Sequence, residues 1–110
     1  MKIIISKILN SESAVFHDEG NEIYLSLQDA FNKGEKVEIS FEGLEFCSTQ
    51  FLNACIGKLY LNFPKELVEE SLIIEDVEDE MLRFSIRKVI ANALNPREYN
   101  QILDDALASF

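Results

Sequence analysis

Two adjacent hydroxyl residues, Ser48 and Thr49, stand just before an apolar-periodic run that opens Phe51-Leu52. Of all positions in the chain, these combine residue type and spacing in the way most suggestive of chemistry. Leu52, Cys55 or Ile56, Leu59 and Phe63 fall on one stripe, which predicts a helix from about Thr49 to Phe63, ended or redirected by Pro64. Both hydroxyls then lie at its amino end, where free N–H groups and the helix dipole favour negative charge. A phosphoryl group added there meets donors on one side and, if Glu45 is close, repulsion on the other. The plain alternative is an ordinary N-cap, for which Ser and Thr are preferred.

The remaining catalytic inventory is thin. His17 is the single histidine and falls beside Asp18 and Glu19, in an expected turn. An acid/base role requires it to share a pocket with a carboxylate. Cys47 and Cys55 are eight residues apart with no second pair, too few ligands for a zinc site, and read as buried reduced thiols. Gly57-Lys58 resembles the end of a phosphate loop, but Leu52 stands where that motif needs its first glycine. Gly57 reads instead as a close approach of a helix to a sheet. Residues 66–80 hold eight carboxylates and no basic residue, without the glycine and spacing of a calcium loop. They are expected to form a solvated rim, with a docking role for a basic partner as the functional alternative. No catalytic, metal or cofactor residue is assigned.

The elements that position these residues follow from periodicity. Lys2 to Leu9 and Ser13 to Phe16 read as short strands, with a β-hairpin expected. Asn21 to Lys33 carries apolar residues at three-to-four spacing and is followed by Gly34 as a left-handed cap, a first helix. Val37, Ile39 and Phe41 alternate with Glu38, Ser40 and Glu42, which predicts a strand with one partly open face. Leu72-Ile73-Ile74 reads as a buried strand, completing a βαβ-length unit with the helix between. Residues 78–94 give a third helix whose acidic start and basic continuation suit the helix dipole. Pro96 opens a fourth helix through Ile102, Leu103, Ala106 and Leu107.

Composition bounds what such a chain does. Its 110 residues are expected to form one domain, 1–110, and 47% hydrophobic content is ample for a core. The formal charge of −10 is spread evenly, with nine acidic against four basic side chains in residues 1–55 and eleven against six in 56–110. Nucleic acid and anionic membrane surfaces are excluded as first expectations, because Lys and Arg supply most of the affinity for both. No apolar run approaches the roughly 20 residues of a membrane span, and the start lacks a signal peptide. A cytoplasmic protein is expected.

The segment from Val37 to Tyr60, VEISFEGLEFCSTQFLNACIGKLY, resembles STAS-like domains, relatives of the sulphate-transporter and anti-sigma-factor-antagonist fold. The resemblance lies in a strand leading to Gly43, a hydroxyl cluster, Phe51-Leu52 and the helical Gly57-Lys58-Leu59. It implies an α/β STAS-like sandwich, with a mixed sheet of four to five strands and helices mainly on one face. An obvious fifth strand is missing, since Ile86 to Ala91 fits a helix better. In the bacterial antagonists of that family the loop carries a serine phosphorylated by a histidine-kinase-like ATPase, and phosphorylation controls docking of that partner. Here Ser48 holds the aspartate position, Thr49 the first serine, Gln50 the acceptor position and Phe51 the glycine.

The resemblance therefore implies a non-enzymatic regulatory module. It would dock a protein partner, such as a histidine-kinase-like ATPase, through Glu45, Ser48, Thr49 and Gln50 and the second helix. Any phosphoswitch must use Thr49 or Ser48. The alternative is a constitutive scaffold or assembly subunit with no switch. An enzyme built on His17 ranks below both, and the partner and oligomeric state are left open.

Overall fold

The computed structural model describes residues 1–94, so the expected fourth helix lies outside the described residues. Strand β1 (Lys2–Ile4) runs directly into helix α1 (Ile5–Leu9), which ends at Asn10 in the left-handed conformation. Strand β2 (Ser13–Ala14) and helix α2 (His17–Asn32) follow, then β3 (Val37–Ser40) and β4 (Phe46–Cys47). Next comes one helical rod in three parts: α3 (Thr49–Leu52), a π-helical turn (Asn53–Gly57) and α4 (Lys58–Asn62). Helix α5 (Lys65–Ser71), strand β5 (Leu72–Glu75) and helix α6 (Glu80–Leu94) complete the described chain.

The strands form two parallel sheets, one of order β1-β3-β5 and one pairing β2 with β4. This corrects the expectation of a mixed sheet of four to five strands. It also removes the hairpin, because β1 and β2 are not partners. The Ile-rich start bends into a helix after three strand residues. Each strand then finds a partner far along the chain, Ile3 opposite Ile39 and Ala14 opposite Cys47. Parallel partners need such crossovers, which local periodicity does not reveal.

Alternation on β3 is realised in part: Ser40, expected on the open face, is buried with its hydroxyl donating to the Asp76 carboxylate, and the strand ends there, before Phe41. Ile3, Val37, Ile39 and Leu72 are buried with the helices. On the opposite face Lys2, Ile4, Glu38, Ile73 and Glu75 are all at least partly exposed among the described residues, and Lys2 pairs with Glu75 at 3.9 Å.

Helix α2 begins four residues earlier than its periodicity predicts. Phe16 cannot cap it through its side chain, but Glu19 accepts hydrogen bonds from the backbone N–H groups of Phe16 (3.1 Å) and Val15 (3.3 Å). Its end is a Schellman turn: Gly34, at φ 73°, donates to Phe31 and Glu35 donates to Ala30.

The rod lies between α2 and α6. Around its π turn four consecutive residues, Ala54, Cys55, Ile56 and Gly57, are buried, more than one stripe of a regular helix supplies. On one side Gly20 of α2 meets the rod so closely that a Cβ there would sit 2.6 Å from the Phe51 carbonyl oxygen and 2.7 Å from Ala54 Cβ. On the other, a Cβ on Gly57 would lie 3.2 Å from Val89 Cγ1 of α6. The close approach at Gly57 is thus to a helix, not to the sheet. Lys58 ties the rod to α2, its Nζ donating to Asn21 Oδ1 (2.9 Å) and lying 4.5 Å from the centre of the Tyr24 ring. Asn62 Nδ2 donates to the same tyrosine's hydroxyl (2.9 Å).

Gly20→Ala forces two backbones apart. It is expected to destabilise the protein by about 1–3 kcal/mol, measured as a lower urea midpoint, whereas Gly57→Ala costs less because only a valine methyl must yield. Equal tolerance of both changes would contradict the close packing of α2 on the rod.

Candidate functional site in the strand-to-helix loop

The loop that joins β4 to α3 is fastened at its base to β2. Glu45 N–H donates to the Glu12 carbonyl (2.8 Å) and Ser48 N–H to that of Ala14 (2.9 Å). The Ser48 hydroxyl is engaged twice. It donates to the Val15 carbonyl and accepts from the Phe51 N–H at 3.0 Å, the N-cap of α3. Ser48 thus joins the end of β2 to the start of the rod.

The other residues of the loop are presented outward. Thr49 occupies the first turn of α3, is exposed, and has no side-chain hydrogen bond among the described residues. Gln50 and Glu45 are exposed as well. The structure therefore brings Glu45, Ser48, Thr49 and Gln50 into one loop and separates their roles: Ser48 faces inward as a cap, and its neighbours face solvent. The sequence does not distinguish the two hydroxyls, since either one is acceptable at an N-cap.

His17 lies not in a turn but in the first turn of α2, and it is exposed. It lines none of the clefts described here. Among the described residues no group of three or more His, Cys, Asp or Glu side chains is placed to hold a metal ion. No helix among them is long and apolar enough to cross a membrane.

Both cysteines are free, Cys55 buried and Cys47 half-buried. Burial pushes the Cys47 thiol up to about 12 and shifts Cys55 in the same direction. Neither is a reactive thiolate near neutral pH.

Two clefts flank the loop, and sequence reading missed both. The first, of about 330 Å³, opens at the carboxyl ends of β3 and β5 and is lined by Glu42, Asp76, Glu78 and Asp79 together with Leu44 and Leu82. The second, of about 280 Å³, shares Leu44, Asp79 and Leu82 and continues past Phe46, Cys47 and Met81. The exposure of Phe46 and Met81, 56% and 72%, is large for such side chains. In the sequence these residues are scattered over some forty positions, and the apolar residues among them carry no periodic signal of exposure.

The parallel β3-β5 pair, the helices packed on its inner face and the capped strand-to-helix loop define a small α/β domain of the STAS-like kind. Comparison with known proteins agrees. A family model described as a STAS-like domain of unknown function (DUF4325) matches residues 19–81, more than half of the chain, and the chain belongs to this family. No curated protein and no solved structure matches it.

Ser48→Ala removes both the cap and the tie to Val15. An expected loss of about 1–2 kcal/mol in urea unfolding contrasts with a change within about 0.5 kcal/mol for Thr49→Ala. A similar cost for both would mean that the two hydroxyls share the cap.

The thiols predict an alkaline limit. An unfolded chain releases thiol protons near pH 8.5 while the folded chain retains them to about 12 at Cys47. Above about pH 9 the unfolded state therefore binds fewer protons, and stability falls as pH rises. The urea midpoint should decline between about pH 8 and 10 and decline less steeply in Cys47→Ala; identical slopes would contradict the burial of that thiol.

Proposed function

We propose that this chain is a non-enzymatic regulatory interaction module. It docks a protein partner through loop 45–50 and the adjoining rod, in the manner of the anti-sigma-factor antagonists that it resembles, and Thr49 is the residue through which phosphorylation regulates the docking. The observation that carries this reading is the division between the two hydroxyls. Ser48 is committed in both directions, whereas Thr49 is exposed beside it and has no side-chain hydrogen bond among the described residues.

A phosphothreonine brings about −1.5 to −2 charges at neutral pH. It would stand in a loop with exposed Glu45, on a chain already at −10. Partner affinity then changes through local repulsion or through a new contact with a partner's Arg or Lys. A histidine-kinase-like ATPase with serine-kinase activity is the partner class that fits the STAS-like resemblance.

A second reading is favoured by Gln50. This exposed, neutral side chain stands where the antagonists carry their phosphorylated serine, which suits a constitutive scaffold or assembly subunit. Incubation with such a kinase and ATP, followed by intact mass and fragment mapping, is expected to place one phosphate on Thr49 and none on Thr49→Ala. Partner binding is expected to differ at least fivefold between Thr49→Ala and Thr49→Glu, a difference of about 1 kcal/mol. An unmodified protein whose partner is indifferent to both substitutions would establish the scaffold.

A further inference from the structure

The two clefts beside the loop form one groove with chemically unlike halves. They share Leu44, Asp79 and Leu82, so the groove is continuous from the carboxyl ends of β3 and β5 to the outer side of β4. Its first half presents four carboxylates, of Glu42, Asp76, Glu78 and Asp79, and among the described residues no Lys or Arg lines either half. None of the four is in an ion pair among the described residues. Asp76 accepts the Ser40 hydroxyl and Asp79 the Met81 N–H, while Glu42 and Glu78 have no side-chain hydrogen bonds among the described residues. The second half adds Phe46 and Met81, both largely exposed, beside Glu45 and Ser85, with Phe84, 62% exposed, one turn further along α6.

Like charges gathered in a concave site raise the local concentration of cations. An adaptable Met beside an aromatic ring suits a large apolar side chain. We infer that this groove binds a peptide segment of a protein partner in which Lys or Arg lies a few residues from a large apolar side chain, the cation entering among Glu42, Asp76 and Glu78 and the apolar group covering Phe46 and Met81. The charge of the groove selects this occupant: a second copy of so acidic a chain, or an anionic lipid surface, would be repelled. The inference deepens the docking reading of loop 45–50, on which it rests, by naming the chemistry of the partner.

Three synthetic peptides of equal length test it: one combining Lys/Arg with Leu/Phe, one with Glu replacing each cation, and one with Ser replacing each apolar residue. Amide chemical shifts of the unmodified chain report the binding position. The basic-apolar peptide is expected to bind at least roughly tenfold more tightly than either control, to shift residues 42–47 and 76–85, and to weaken as ionic strength passes about 0.1 M. Phe46→Ser with Met81→Ser, and separately Glu42→Lys with Glu78→Lys, should each reduce affinity at least fivefold. Equal binding of all three peptides, shifts centred on the Glu66–Glu70 helix, or indifference to both double substitutions would overturn the groove. A partner that responds to Thr49→Glu but not to the groove substitutions leaves loop docking standing and removes this inference. A partner that responds only to the groove substitutions supports the groove and removes regulation at Thr49.

Discussion

The close seating of the α3-π-α4 rod between α2 and α6 is the constraint on which the rest of the structure depends. At Gly20 the backbone of α2 approaches the Phe51 carbonyl more closely than any side chain permits, and at Gly57 the rod approaches Val89. A helix held on both sides must bury more than one stripe, and its π turn does so with four successive residues. Once the rod is fixed at this depth, its amino end is fixed too. Ser48 then meets the Val15 carbonyl, and loop 45–50 has its position.

That geometry separates a rigid base from a presented surface. The inner side of the loop consists of main-chain bonds to β2 and the serine cap. The outer side consists of Glu45, Thr49 and Gln50, which are exposed. The groove beside them is built where two parallel strands end and α6 begins, a region where chain crossovers commonly leave a crevice. Among the described residues the carboxylates of Glu42, Asp76, Glu78 and Asp79 are in no ion pair, so this part of the −10 charge is not neutralised by a salt bridge there.

Much of this was legible in local pattern. Although Ser40 of β3 is buried and the rod carries a π turn, the strand at Val37, the periodicity of α2 and α6, the helical character of the rod and Gly34 as a cap appear as read. So does the position of the hydroxyl pair at a helix start. Where reading erred, a distant partner decided the outcome. Leu9 ends a helix rather than a strand because β1 is only as long as its ladder with β3. Helix α2 starts early because Glu19 reaches back to main-chain donors that no capping residue marks.

By itself the sequence determined helices α2 and α6, the helical character of the rod, strands β3 and β5, the acidic character and the candidate loop, since each depends on residues within one or two turns of chain. Tertiary structure alone decided the parallel pairing and the split into two sheets, because strand partners lie more than thirty residues apart. It also separated the two hydroxyls: Ser48 is occupied by a carbonyl thirty-three residues upstream, and Thr49 has no side-chain hydrogen bond among the described residues. The groove belongs to the same category. Its walls come from the segments that follow β3 and β5, from β4 and from α6, and only the packing of those elements brings Glu42 and Glu78 to one cleft and Phe46 and Met81 to the next.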